Sequence, residues 1–394
     1  MNRLRAWSRA CATRPRFLAL AAFLFAGDLK ADPRLAWLPV DLTLLTGGVL
    51  CAVLAVRFLR GARLRSLGGP ALVAFWFLTF CPGLFQAVPS PYGLQKIATI
   101  FTFTLLSALA PLLLVEDDGD RTRLMNALAC FCLAITLAGL LGGGQDAQRL
   151  QAFGAGTISL GRAAGLLFAY AAITLAGDGP LPGLTFGIMA LAGITALFSG
   201  SRGPILAALA VLVLLFGAGR MRLGPKAARL AGAGGLFLLA LGASLSLAPK
   251  GSVTRVQAFF QGRYGASESY RADALRASWG LIGEAPWGIG WAGFATRVDP
   301  ERGTGRQYPH NLLAEVTLES GWICGAATLL ALLTAAAAAW SGTRLPGGRA
   351  VFAGTLFYLI NAMVSGDVND NRPLFMFVTS ALMLWDPPPP GGGA

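Results

Sequence analysis

The chain has 394 residues, 55% of them hydrophobic and 13% charged. That is half the roughly 25% charge of an ordinary soluble domain, and it excludes a soluble multi-domain protein, which needs polar surface that is missing here. The formal net charge is +13, but the aromatic residues lie in apolar runs rather than among basic ones, so nucleic acid is not expected as a partner.

Apolar runs near the spanning length of about 20 residues fall at 17–31, 38–56, 70–88, 97–115, 124–142, 157–176, 183–200, 203–219, 230–248, 310–340, 350–366 and 372–385. They predict an all-α, polytopic transmembrane helical bundle of about twelve spans. In the first run, the stretch Phe17 to Gly27 is short and follows Arg3, Arg5, Arg9, Arg14 and Arg16, which is also how a secretory signal begins. Leu29-Lys30-Ala31 is a poor cleavage site, so the run reads as a short first helix. The predicted organisation is N-terminal transmembrane helices over 1–248, a periplasmic loop over 249–309, C-terminal transmembrane helices over 310–385, and a Pro- and Gly-rich disordered tail over 386–394.

Orientation follows from the basic residues. With both termini cytoplasmic, the inner loops hold Arg57, Arg60, Arg63 and Arg65, then Arg121 and Arg123, then Arg220, Arg222, Lys226 and Arg229, then Arg344 and Arg349. The short outer loops hold fewer: Lys30 and Arg34, Lys96, Arg149, Arg202 and Arg372. This matches the positive-inside bias. Three features then share the outer side: Ser199-Gly200-Ser201-Arg202-Gly203-Pro204 between two apolar runs, the long loop, and Pro309-His310-Asn311. Within the loop, Tyr270, Leu275, Trp279 and Ile282 space as one face of a helix over 267–283. Pro286-Trp287-Gly288-Ile289-Gly290-Trp291 reads as a turn on the membrane interface, where Trp is favoured.

His310 is the one histidine in the sequence. A lone histidine on an apolar helix is more often a packed, hydrogen-bonded residue. Here, however, it begins a helix beside a loop, within reach of an external substrate. Imidazole titrates near physiological pH, and a helix N-terminus disfavours its protonated form. Arg202 interrupts an apolar block, at a cost of a few kcal/mol at membrane depth. It is either a snorkelling interfacial residue or a cation held for an anionic lipid-linked substrate, with Gly200, Ser201 and Gly203 letting a phosphate come close. Arg271 and Arg276 are phosphate ligands by type or the solvated face of the loop helix. Arg162 either lines the same cavity or snorkels, and Asp367, Asp370 and Arg372 read as a polar turn. The six cysteines, Cys11, Cys51, Cys81, Cys130, Cys132 and Cys324, read as small apolar residues. Cys130 and Cys132 point to different faces of a helix, and neither a disulfide framework nor a metal site is expected.

These residues carry a resemblance. Ser201-Arg202-Gly203 between apolar helices, then Tyr270-Arg271, Trp279 and Pro286-x-Gly288-x-Gly290, then Pro309-His310-Asn311-x-x-x-Glu315-x-x-x-Glu319-x-Gly321 together resemble the O-antigen ligase and O-antigen or exopolysaccharide polymerase superfamily, most closely over 150–335. The resemblance implies a bacterial inner-membrane glycosyltransferase of the GT-C type, inverting, with neither metal nor cofactor. It implies a donor glycan on undecaprenyl pyrophosphate, used on the periplasmic face. The acceptor is lipid A–core for a ligase, or a second lipid-linked glycan for a polymerase. Carried over position by position, His310 is the catalytic base and Arg202 and Arg271 bind the pyrophosphate. Arg276, Arg162, Tyr270, Asn311 and Arg372 are possible accessory residues. The chain departs from the pattern in its extra loop tryptophans, in lacking an Asn-rich turn over Arg149 to Gly161, and in Asp367-Val368-Asn369-Asp370-Asn371-Arg372, which is similar to exopolysaccharide polymerases as much as to ligases. A lipid-linked-oligosaccharide transporter is the alternative from another class. It calls for inverted repeats and helices broken at the membrane middle, whereas here the polar residues gather on one face.

Overall fold

The structure, a computed structural model, describes residues 14–62, 68–142, 150–177, 181–221, 266–298 and 306–385. The span expected over 230–248, the ends of the loop and the C-terminal tail lie outside these. Apart from one isolated bridge, Ala152 with Ala155, the regular elements described are helical. In chain order they include α1 (Pro15–Leu29), α2 (Leu42–Leu59), α3 (Gly68–Leu78), α4 (Pro82–Phe85), α5 (Pro91–Thr99), α6 (Leu105–Leu114), α7 (Asp118–Gly142), α8 (Thr157–Ala176), α9 (Pro182–Phe198), α10 (Arg202–Gly217), α11 (Ala266–Glu284), α12 (Gly293–Arg297), α13 (Leu312–Ser320), α14 (Trp322–Ser341), α15 (Gly348–Ala362) and α16 (Arg372–Leu382).

Among the described residues, six stretches are long and apolar enough to cross a bilayer: Leu42–Leu59, Gly68–Phe85, Pro91–Leu114, Asp118–Leu141, Thr157–Ala176 and Trp322–Arg344. At 1.5 Å per residue, about 18 residues reach roughly 27 Å, close to the hydrocarbon thickness. The chain is a helical membrane protein. Of the twelve predicted runs, 230–248 lies outside the described residues, α9, α10 and α16 are shorter apolar helices, and α1 and α15 have 15 residues each.

The chain folds as two compact units, each discontinuous in sequence: residues 1–56, 117–263 and 343–357 form the first, and 57–116, 264–342 and 358–394 the second. In the first unit α8 is the hub, packing against α7, α9 and α10. Its small residues, Gly161, Ala163, Ala164, Gly165, Ala169, Ala171 and Ala172, are buried and let backbones approach closely, the usual device where lipid gives no hydrophobic drive between helices. In the second unit α16 packs against α6 and α14, and α13 against α11 and α14. Trp76 is buried at its centre, stacked on Phe375 at 4.8 Å and donating its indole N–H to Thr328 Oγ1 at 2.9 Å.

Two sequence expectations need correction in the second unit. The apolar run 310–340 is not one helix: it breaks at Gly321, whose φ is +91°, a conformation glycine adopts at little cost. The segment after Pro286 is not a surface turn but packs into the fold. Ile289, Trp291 and Phe294 are fully buried, and only Trp287 of that stretch is an exposed large apolar side chain.

The physical reason is shared. The helix breaks near Gly83 and Gly321 leave backbone groups unpaired, which is costly away from water, and residues 286–291 pair with both. Ile289 N donates to Leu318 O (2.8 Å), Gly290 N to Glu319 O (3.0 Å) and Trp322 N to Pro286 O (2.9 Å). On the other side Trp291 N donates to Gly83 O (3.0 Å) and Val88 N to Trp291 O (3.2 Å). The approach demands glycine: a Cβ at Gly290, where φ is +83°, would lie 1.7 Å from Gln86 O. Trp279 is a third correction. It is 50% exposed, and the buried face of α11 is instead Ala274, Ser278 and Ile282.

Candidate functional site

α11 and α13 join through one apolar cluster, in which Ala274 and Ile282 pack with Ala314 and Leu318, and with Ile289 and Phe294 from the segment between. One helical turn before Ala274 stands Tyr270; one turn before Ala314 stands His310. The packing therefore brings the start of the loop helix to the start of α13. The Tyr270 ring meets the His310 ring edge-on at 6.2 Å, and the Tyr308 ring packs on it, tilted, at 4.4 Å.

His310 itself has a φ of +60°, uncommon for a residue with a Cβ and of the kind that collects at functional sites. The residues around it hold it there. Pro309 is buried. Asn311 caps α13, its Oδ1 accepting from Ala314 N at 2.9 Å, while its Nδ2 donates to Met363 O at 3.0 Å. Asn311 is thus a cap and a tether. The imidazole Nδ1 is buried with no hydrogen-bond partner, and so is Gln307 Oε1. Burial first, then the Arg271 cation, lowers the His310 pKa to about 4; Arg306 adds to this and Asp370 opposes it. The ring is therefore neutral at pH 7 and keeps a lone pair to accept a proton.

Around this ring lies a group that the sequence reading missed. Arg306 donates its Nε to Asp367 Oδ2 at 3.1 Å, and its Nη2 lies 3.0 Å from Asp367 and 2.6 Å from Asp370. Its guanidinium sits over the Tyr308 ring at 5.6 Å. Asp367 is fully buried, and burial pushes its carboxyl above the usual range, with Asp370 adding to the rise. Residues 365–372 are more than an ordinary polar turn, since Asp367 Oδ1 accepts from Asp370 N at 2.8 Å and Oδ2 lies 3.5 Å from Tyr92 Oη. Arg372 starts α16 and donates its Nε to Asn369 O at 3.1 Å.

Lys96, placed in an outer loop by the sequence, is instead a helical residue only 1% exposed. Its Nζ lies 2.6 Å from Glu315 Oε1 and 2.5 Å from Glu319 Oε2, with the Trp291 ring at 5.6 Å and the Tyr92 ring at 5.8 Å. Glu319 also accepts from Ala292 N at 3.1 Å. A signal was available: two glutamates four residues apart on one face of an apolar helix require a buried cation. Arg276 lies apart from this, exposed and paired with Asp273 at 2.7 Å.

In the first unit, the Ser199–Pro204 turn packs on the N-terminal turn of α8. Ser201 Oγ donates to Thr157 O at 3.0 Å, and a Cβ on Gly161 would come within 2.9 Å of both Ser199 Oγ and Ser201 Cβ. Gly200, with φ +69°, makes the turn. Arg202 is the first residue of α10, and Arg162, one residue after Gly161, is buried at 9% exposure rather than reaching outward.

The family model described as O-antigen ligase matches residues 187–330. The match covers less than half of the chain and supports its similarity to the O-antigen ligase family over that segment. No curated protein matches the chain. The family segment takes in Arg202, Tyr270, Arg271 and His310 with both glutamates of α13; Lys96 and Asp367 lie outside it. The match to the O-antigen ligase family model supports ligase- or polymerase-type glycosyl transfer in general, with lipid-linked glycans as the class of substrate.

Proposed function

We propose that this protein is an inner-membrane glycosyltransferase that moves a glycan from undecaprenyl pyrophosphate to an acceptor hydroxyl at the periplasmic face, acting as an O-antigen ligase with lipid A–core as acceptor. The observation that carries the reading is His310: a strained, neutral imidazole with a free Nδ1, beside Arg271 and flanked by two tyrosines, inside the family segment.

In this reading His310 takes the proton of the acceptor hydroxyl as that oxygen attacks the anomeric carbon. General-base help of this kind is typically worth about 10²–10⁴ in rate. The lipid pyrophosphate leaves from the opposite face, inverting the centre. Arg271 stabilises the charge the leaving group gathers, the larger electrostatic contribution in such reactions. Arg202, on its own turn, is proposed as a second pyrophosphate ligand, its fork suited to bidentate phosphate binding. No metal takes part in the proposed steps. The excess of basic residues in alternate loops of the sequence, which puts the termini inside and the long loop outside, supports the periplasmic assignment.

The test is reconstitution in lipid with an undecaprenyl-pyrophosphate-linked repeat unit, with and without lipid A–core. Transfer that requires core supports the ligase. Lengthening of the lipid-linked glycan without core assigns a polymerase. His310→Ala should abolish transfer at normal protein level, and retention of full activity would overturn the base assignment. Arg202→Ala and Arg271→Ala should each slow transfer. Activity of the wild type should fall as pH drops toward about 4, where His310 gains a proton.

A further inference from the structure

The segment from Arg306 to His310 has no helix or strand of its own, yet it must hold an imidazole in a left-handed backbone conformation, φ +60°. What restrains it is a chain of contacts running back into the core of the second unit. The His310 ring packs on Tyr308 at 4.4 Å, and Tyr308 lies under the Arg306 guanidinium at 5.6 Å. Arg306 is gripped by Asp367 and Asp370, and Asp367 reaches Tyr92 at 3.5 Å.

The far end of the chain is fixed. Asp367 is buried, and its backbone carbonyl accepts from Asn371 Nδ2 at 2.8 Å. The residues just before this turn hold the other side of His310, since Asn311 Nδ2 donates to Met363 O at 3.0 Å. The stretch from Met363 to Asn371 therefore secures the histidine from both flanks.

We propose that Arg306, clamped by Asp367 and Asp370, is a positioning residue for His310: it presses Tyr308 against the imidazole and keeps a cation beside the neutral ring. The inference rests on His310 being the base of the proposed transfer. Arginine suits the task better than lysine. Its planar fork spans two carboxylates and lies flat on an aromatic face at the same time. Among the described residues, the titratable and charged groups facing His310 are Tyr270 and Arg271 from α11, Arg306 and Tyr308 from its own segment, and Asp370 from the turn. Arg271 and Arg306 oppose protonation and Asp370 favours it. Removing Arg306 deletes one opposing cation, and that change raises the His310 pKa.

The test exploits the single histidine of the sequence. Full-length protein in lipid nanodiscs, labelled with carbon-13 histidine, gives one imidazole signal, and its pH titration reports His310 alone. Arg306→Met leaves Asp367 uncompensated and could fail to fold, so the paired variant is Arg306→Met with Asp367→Asn, alongside Arg306→Lys. In the wild type the midpoint is expected at about 4. The double variant should raise it by on the order of one unit, and Arg306→Lys by less. In the transfer assay the double variant should lose roughly tenfold to a hundredfold in kcat, the scale of a misplaced reacting group, with KM for the lipid-linked donor little changed. A purely architectural role would lower the amount of folded protein but leave the midpoint and the kcat of the folded fraction where they were. That result would overturn the inference. His310→Ala run in parallel separates the two claims. An unmoved midpoint beside an inactive His310→Ala removes Arg306 alone, whereas an active His310→Ala removes the base reading and the catalytic role of Arg306 with it.

Discussion

Each unit of the molecule carries a charge cluster centred on a fully buried side chain, Asp120 in the first and Lys96 in the second, and the two are built with opposite stoichiometry. In the first unit a single carboxylate, Asp120, collects three arginines: Arg14 at 3.3 Å, Arg16 at 2.5 Å and Arg123 at 2.8 Å, with the arginine side chains 43%, 10% and 32% exposed. In the second unit a single cation, Lys96, is held by two glutamates, and all three side chains are wholly buried. Asp120 stands in the first turn of α7, where the helix dipole also favours a negative charge. Its cations are redundant and partly wet. Lys96 has no substitute, and its glutamates have no water to turn to. The first cluster secures a helix end; the second is a keystone for broken helices, since Glu319 also binds the backbone of Ala292.

The sharpest way to break that contrast is Lys96→Met. It leaves Glu315 and Glu319 buried without their cation, and breaking a buried pair in this way costs about 3–5 kcal/mol. We expect a large fall in thermal midpoint in detergent. A companion variant, Lys96→Met with Glu315→Gln and Glu319→Gln, removes all the charge and should recover much of the loss, because neutral replacements of buried ion groups are often tolerated. Failure to recover would show that geometry rather than charge balance carries the cluster. Next in size is Gly290→Ala. The left-handed backbone costs about 1–2 kcal/mol with a side chain, and the clash with Gln86 O adds overpacking of about 1–3 kcal/mol. A thermal midpoint equal to wild type would mean that residues 286–291 do not seat tightly between the two helix breaks.

The difference between the clusters also explains what the sequence could and could not disclose. Spans such as α7 and α8 are legible because their apolar runs end where the helices end, near 142 and 176. The break at Gly321 is not, since apolar residues continue on both sides and its hydrogen-bond partners, Pro286 and Ile289, come from a distant segment. The meeting of Tyr270 with His310 follows from residues already singled out together. Arg306 carried no pattern at all: it lies in an irregular segment, and its partners are more than 60 residues away, at Asp367 and beyond. Lys96 was misread because one lysine near a helix start looks like any loop cation. Only the pairing with Glu315 and Glu319, reached across the fold, makes it a core residue. Long-range ion pairing of this kind leaves no periodic trace.

The smallest expected effect is the one that sharpens the comparison most. Arg14 is 43% exposed and lies 3.3 Å from Asp120, so its attraction is screened by water and salt, and pairs of this sort are worth about 0–1 kcal/mol. Two other arginines remain beside the carboxylate when it is removed. Arg14→Ala should therefore leave the thermal midpoint nearly unchanged at moderate salt, with any loss growing as ionic strength is lowered, because the Debye length rises from about 10 Å at 0.1 M to about 30 Å at 0.01 M. A loss comparable to that of Lys96→Met would mean that Asp120 depends on each of its arginines in turn, and that redundancy does not separate the two clusters. In that case burial of the carboxylate alone, common to both, would set the cost.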